Sequence, residues 1–269
     1  MTNVPRTCSV SVVIPYFQKP DTVERALDSI ALQTVLPAEV IVVDDEVTPG
    51  SEAVLGELQK RRWPFSMRLI AMPINGGPAA ARNVGWNNTL PAARYVAFLD
   101  ADDFWLPCKL EIQATWMDLH PHILWTAHRV TQTAVPTKSL PDLPAAISAK
   151  RITMLQLLGR NPVATPSVMI ARDSDRRFRD AWRYCEDLML WADLTASGIF
   201  GSMLDITLAV LGRPPRSLGG VTADIEAMHA GERRVLETLR AEHKLSPLST
   251  RLFAAIDWLR YRRRLIGAR

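Results

Sequence analysis

Residues 95–107 read YVAFLDADDFWLP, an apolar run that ends in three aspartates, Asp100, Asp102 and Asp103. Carboxylates packed this closely repel one another and shift their pKa values upward unless a cation lies between them. The cluster is therefore either a solvated acidic turn or a holder of a metal ion. An EF-hand calcium loop is excluded. Asp100, Asp102 and Glu111 would fill its first, third and twelfth positions, but Trp105 stands where the loop needs glycine and Phe104 cannot ligate. A second acidic pair, Glu186-Asp187, opens the amphipathic stretch EDLMLWADLTASG, where acids at a helix start are favoured by the macrodipole.

The elements that must position these groups follow from hydrophobic patterning. VSVVIPYF (10–17) is continuous and β-branched, as a strand buried on both faces should be, and Pro15 ends it. Asp21 to Glu24 has the spacing of a capping box for a helix carrying Val23, Ala26, Leu27 and Ile30. EVIVVDDE (39–46), MRLIAM (67–72) and YVAFLD (95–100) predict three more strands. A helix is predicted over 51–62, and within 75–86 a glycine turn is followed by an alanine-rich helix with Pro78 at its first position. Alternation of strand and helix predicts an α/β fold with a mostly parallel sheet flanked by helices. In such sheets ligands lie at the carboxyl ends of the strands, where Pro15-Tyr16, Asp44-Asp45 and the aspartate cluster all fall. Further on, 109–119, 152–158 and 186–198 read as helices, 122–130, 167–172 and 206–213 as strands, and 232–264 as mostly helical with a break near Ser246-Pro247.

Composition narrows the class without naming a reaction. With 269 residues, 48% hydrophobic and 22% charged, the chain can bury a sizeable core. Its net charge of +4 is concentrated near the C-terminus, at Arg251, Arg260, Arg262, Arg263, Arg264 and Arg269. Cys8, Cys108 and Cys185 form no CxxC pair, against a structural zinc site or a disulfide framework. Neither a signal peptide nor a membrane span is legible, so a cytoplasmic protein, peripheral on the inner face of the membrane at most, is expected.

Taken together, VVIPYF, SIALQT, EVIVVDDE, NGGPAAARNVG, FLDADD and YCEDLMLW resemble, in order, the motifs of the family 2 glycosyltransferases. The resemblance implies a GT-A domain over residues 1–219, with a nucleotide-sugar-binding half (about 9–105) and an acceptor-binding half (about 106–219). Residues 220–269 would be a helical extension with a basic tail. It also implies an inverting transfer from a nucleoside diphosphate-sugar, most simply a UDP-sugar, to a hydroxyl of a surface glycan, lipopolysaccharide or lipid-linked acceptor. The aspartate cluster resembles the family's DxD motif, with Asp102 and Asp103 as ligands of Mg²⁺ or Mn²⁺ and Asp100 nearer the ribose. Asp45 resembles the residue that bonds the nucleotide base, with Asp44 behind it and Pro15, Tyr16 and Lys19 lining the pocket. Arg82 either approaches the donor or pairs with a strand-end aspartate. Asp187 resembles the general base and Glu186 its positioning partner. Trp182 and Tyr184 are candidates to stack on an acceptor sugar, and Trp191 reads as core.

The chain also departs from the family pattern. Gln18 stands where asparagine is common, Glu46-Val47 where Gly-Ser is common, and Met189 replaces an aspartate. Pro214 occupies a place that often holds a metal-reaching histidine; Arg213, Arg216 and His229 are the possible substitutes. Leu252, Phe253, Ile256 and Leu259 with the neighbouring arginines fit either an interfacial helix on an anionic membrane or a helix docked on the domain. Two rivals use the same acids: a nucleotidyltransferase or phosphohydrolase, and a non-catalytic nucleotide-sugar-binding module. An aspartyl-phosphate phosphatase would carry its acids after the first strand rather than the fourth.

Overall fold

The structure, a computed structural model, describes residues 6–18, 20–133, 146–212 and 224–266. Lys19, Arg213, Pro214 and Arg216 lie outside the described residues. The first half alternates as its patterning requires: β1 (Thr7–Tyr16), α1 (Pro20–Ala31), β2 (Leu36–Asp44), α2 (Pro49–Lys60), β3 (Met67–Ala71), α3 (Gly77–Asn87) and β4 (Tyr95–Phe98). These four strands pair in parallel in the order β3-β2-β1-β4. Helix α1 begins at Pro20, so Asp21 lies inside its first turn and not at the cap. A capping box does occur at α2, where Thr48 and Ser51 bond reciprocally.

The second half contains β5 (Phe104–Trp105), α4 (Lys109–Leu119), β6 (Trp125–Thr131), β7 (Ala149–Arg151), α5 (Met154–Arg160), β8 (Met169–Ala171), α6 (Glu186–Ala196) and β9 (Ser202–Val210). Its strands extend the sheet as β4-β8-β6-β9-β5, with β7 on β9. Pairing here is mixed. β8 runs antiparallel to β4 and β6, while β6 and β9 are parallel.

Successive residues of β1 face opposite sides, and each side has its own core. Val13, with Ile41, Val43 and Phe98, packs under α3 and α6; Val12 and Ile14, with Val40 and Val42, pack under α1, α2 and α4. The C-terminal helices α7 (Ile225–Ala241) and α8 (Pro247–Ile266) are not a detached tail. Val235, Leu236, Leu239 and Phe253 join the same apolar cluster as Phe178 and Trp191.

Candidate active site

The ends of β1 and β2 are level. Tyr16 pairs with Asp44, and Asp45 N–H donates to the Tyr16 carbonyl at 2.9 Å. Both carboxylate oxygens of Asp45 are engaged, accepting from Gly76 N–H at 2.9 Å and Gly77 N–H at 3.0 Å. Burial raises the Asp45 pKa, against the pull of these two donors. Gly77 sits at φ +81, and a Cβ on Gly76 would lie 2.7 Å from Ala80 Cβ, so the glycine pair is required for this close turn. The rest of the NGGPAAARNVG motif has equally local causes. Pro78 lies in the first turn of α3, and a Cβ on Gly85 would lie 2.3 Å from Val13 Cγ1, so α3 rests directly on β1. The Asn83 side chain bonds the Phe178 main chain in both directions.

Arg82 joins the two acidic motifs. Its guanidinium donates to Asp100 at 2.7 Å and to Glu186 at 2.8 Å, and it is almost fully buried. Of the two sequence alternatives for Arg82, the structure shows the pairing with a strand-end aspartate, and adds Glu186. The Arg82 pKa is raised: Asp100 and Glu186 outweigh the burial that alone would lower it. Glu186 is pushed up to about 7, first by burial and then by Asp187, although Arg82 pulls it down. Asp187 retains some solvent access and is also shifted upward, chiefly by burial. It accepts from Leu188 N–H at 2.6 Å, and the Thr165 hydroxyl lies 3.4 Å from its other oxygen. The acidic turn after β4 and the pair opening α6 therefore meet at one place.

The aspartate turn is itself held from three sides. Arg25 donates to the Asp102 carbonyl at 2.7 Å, and Gly212 N–H donates to the Asp103 carboxylate at 2.8 Å. A Cβ on Gly212 would fall 1.6 Å from the Asp102 carbonyl oxygen, so the chain leaving β9 crosses the turn in direct contact. The third support explains the SIALQT motif, whose role was not legible in the sequence. Ser29 Oγ accepts from Trp105 N–H at 3.1 Å, while Gln33 donates to the Leu106 carbonyl at 2.8 Å and accepts from Leu110 N–H at 3.0 Å. Ser29 on α1 and Gln33 just past its end are thus polar groups satisfying main chain just beyond the aspartates.

Packing decides the place of several further side chains. Trp182 is buried, with the Arg234 guanidinium 4.3 Å over its ring, so it offers no open sugar platform. His229 Nδ1 lies 2.8 Å from Asp257 of α8, and its ring stacks on Tyr261 at 4.1 Å; its partners belong to the α7–α8 interface. Phe253 is buried and Ile256 packs against the core, so they do not share a solvent face with Leu252 and Leu259. Trp191 is core, stacked on Trp125 at 5.3 Å.

Residues just ahead of Glu186 are fixed by α7. Cys185 adopts φ +58 as the cap of α6 and donates to the Met228 carbonyl at 3.7 Å. A Cβ on Gly231 would stand 3.0 Å from Tyr184 Cβ and 3.1 Å from Cys185 Sγ.

A parallel first half, acidic groups at the strand ends and a mixed second half define a GT-A glycosyltransferase fold. The sequence model for glycosyl transferase family 2 matches residues 11–178, and the chain belongs to that family. Among curated relatives, the succinoglycan biosynthesis protein ExoW of Rhizobium meliloti is 43% identical over 103 residues, covering 38% of this chain and 31% of that protein. An uncharacterized glycosyltransferase of Rickettsia conorii is 28% identical over 204 residues, covering 72% of this chain and 31% of the relative. The chain thus spans about a third of the length of these relatives. Among solved structures, S. aureus TarS 1-349 shares the fold with a TM-score of 0.64 at 19% identity, covering 93% of this chain and 70% of that one. The same protein in complex with UDP-GlcNAc matches with a TM-score of 0.64, covering 91% of this chain and 70% of that one.

Proposed function

We propose that the protein is an inverting glycosyltransferase moving a sugar from a UDP-sugar to a hydroxyl of a glycan or lipid-linked saccharide in surface polysaccharide or lipopolysaccharide assembly. The observation that carries this reading is the Arg82 bridge, which ties Asp100 of the aspartate turn to Glu186, the neighbour of Asp187. The relatives support the donor and the process. TarS has been crystallised with UDP-GlcNAc, and ExoW is a succinoglycan biosynthesis protein.

In this reading Pro15, Tyr16, Asp44 and Asp45 line the base pocket. Each Asp45 oxygen already accepts one main-chain N–H and keeps a lone pair for a uracil ring N–H. The donor set of the turn fits a hard divalent ion, being all carboxylate oxygen. Asp102 and Asp103 would hold Mg²⁺ or Mn²⁺ there. Such an ion supplies Lewis-acid stabilisation of the departing diphosphate. Asp187 takes the proton of the acceptor hydroxyl as its oxygen bonds the anomeric carbon and the bond to the diphosphate breaks on the opposite face. Its raised pKa suits a base. Glu186, clamped by Arg82, fixes the start of α6 and so aims its neighbour. A lipid-borne acceptor places the enzyme at the inner face of a membrane. No helix among the described residues is long and apolar enough to cross one.

The test is turnover of a panel of UDP-sugars with Mn²⁺ by the natural protein and by Asp187→Asn. The substitution should leave UDP affinity unchanged and lower turnover about 10²-fold or more, as loss of a general base does. Equal turnover removes Asp187 from the mechanism.

A further inference from the structure

We propose that the outward face of α8 is a membrane-lying surface that takes anionic phospholipid. The helix carries two stripes with the same spacing, five residues apart. Phe253, Asp257, Arg260 and Arg264 face the protein, and their charges are used there. Arg260 and Arg264 each donate to Glu232 at 2.8 Å, while Asp257 lies against His229. The other stripe, Leu248, Leu252, Ala255, Leu259 and Ile266, recurs at the helical period on the opposite side. Its large members and neighbouring Trp258 are between 53% and 78% exposed. They make up five of the thirteen large apolar side chains exposed among the described residues.

The flanks of this stripe decide what covers it. Arg251, Arg262 and Arg263 are exposed, and α8 contains no acidic residue other than the buried Asp257. Arg262 lies 5.5 Å over the Trp258 ring at the stripe's edge. Pairing this face with a second copy of itself would set arginine against arginine with no carboxylate between them. The fitting occupant is apolar beneath and negatively charged above, which describes acyl chains under anionic headgroups. Arginine stems and an indole at the boundary suit that layering. Lying flat, 248–266 presents an edge roughly 27 Å long at 1.5 Å per residue. α8 backs on α7, and α7 abuts Tyr184 and Cys185, so the face lies two helices behind the proposed base. This proposal rests on the lipid-borne acceptor inferred above, but lipid binding is read without turnover.

The experiment is flotation of the purified chain with phosphatidylcholine vesicles, with and without phosphatidylglycerol. Binding is expected only with phosphatidylglycerol and should weaken as salt rises. The double variant Leu252→Glu/Leu259→Glu should bind at least about tenfold more weakly. Arg251→Gln/Arg262→Gln should lose a comparable amount, with melting temperature and UDP affinity unchanged because all four side chains are exposed. Equal binding to both vesicle types, no binding, or undiminished binding by the variants overturns the proposal. A concentration-dependent dimer abolished by the leucine variant overturns it in favour of self-association. UDP-sugar turnover on a soluble acceptor without vesicles tells failure of this face from failure of the enzymatic reading.

Discussion

Arg82 and Glu186 stand 104 positions apart and are joined at 2.8 Å, with the other arm of the same guanidinium on Asp100 at 2.7 Å. One buried cation thus neutralises a carboxylate from each half of the domain. Replacing it by Met leaves Glu186 buried with its counter-charge removed. Breaking such a pair from one side costs about 3–5 kcal/mol. Urea unfolding of Arg82→Met at pH 8 should show a loss of this order. Arg82→Lys should recover only part of it, because one ammonium does not span both carboxylates as a planar fork does. A loss below about 1 kcal/mol would mean that the bridge is not what holds the halves in register.

The shifts of Glu186 and Asp187 predict a pH profile. Burial is the main cause of both, and Glu186 reaches about 7. A base must be unprotonated, so kcat/KM should fall on acidification at pH values above the ordinary carboxylate range. The apparent value belongs to the pair rather than to either residue. Stability moves the other way. Carboxyls raised in the folded state hold protons more tightly than in the unfolded chain, so their contribution is most favourable below the unfolded values. It is lost as pH rises through the folded ones. Asp187→Asn should flatten part of that stability slope in denaturant titrations across pH 4.5–7.5.

Gly212 is expected to resist any side chain. Gly212→Ala drives a methyl into the Asp102 carbonyl, placed 1.6 Å from where that carbon must go. Mn²⁺-dependent UDP affinity should drop by tenfold or more, and the melting temperature by several degrees. Gly56 in α2 is the control, since a Cβ there meets nothing within 4 Å. Gly56→Ala should stabilise by up to about 1 kcal/mol.

Asp102→Ala tests the divalent ion without touching the base. Calorimetry of UDP binding should show a strong Mn²⁺ enhancement in the natural protein and none in the variant. Equal affinity with and without Mn²⁺ in both would remove the ion from the reading.

Where the chain carried long apolar runs, its sequence was enough to place elements. β1, β2 and β4 lie where continuous apolar patterning put them, because burial on both faces leaves few polar positions to break the run. The part-exposed edge strand β3 and the helix α4 were legible from their own patterning. β5 and β7 escaped for a physical reason. Phe104–Trp105 is two residues long, and Ala149–Arg151 is an exposed edge with no alternation to read. The candidate acids were visible as types and spacings, but their partners were not. Arg82 reaching Glu186, Gly212 capping Asp103 and Arg234 covering Trp182 are contacts between residues 104, 109 and 52 positions apart, set by how the halves close. Helix α8 shows the limit of a periodic argument. Leu252, Phe253, Ile256 and Leu259 fit one broad apolar arc on paper, and only packing assigns the middle pair inward.

The fit of Gly231 against Tyr184 and Cys185 has a consequence for anyone recombining this domain with its relatives. There is no slack between the C-terminal hairpin and the peptide that introduces the acidic pair, so the two form one mechanical part. A chimera that imports a foreign hairpin bearing any larger residue at position 231 would shift the start of α6 before it altered a single group in the cleft. A seam for swapping the C-terminal helices therefore cannot run ahead of α7, and α7 and α8 have to travel together with 184–187.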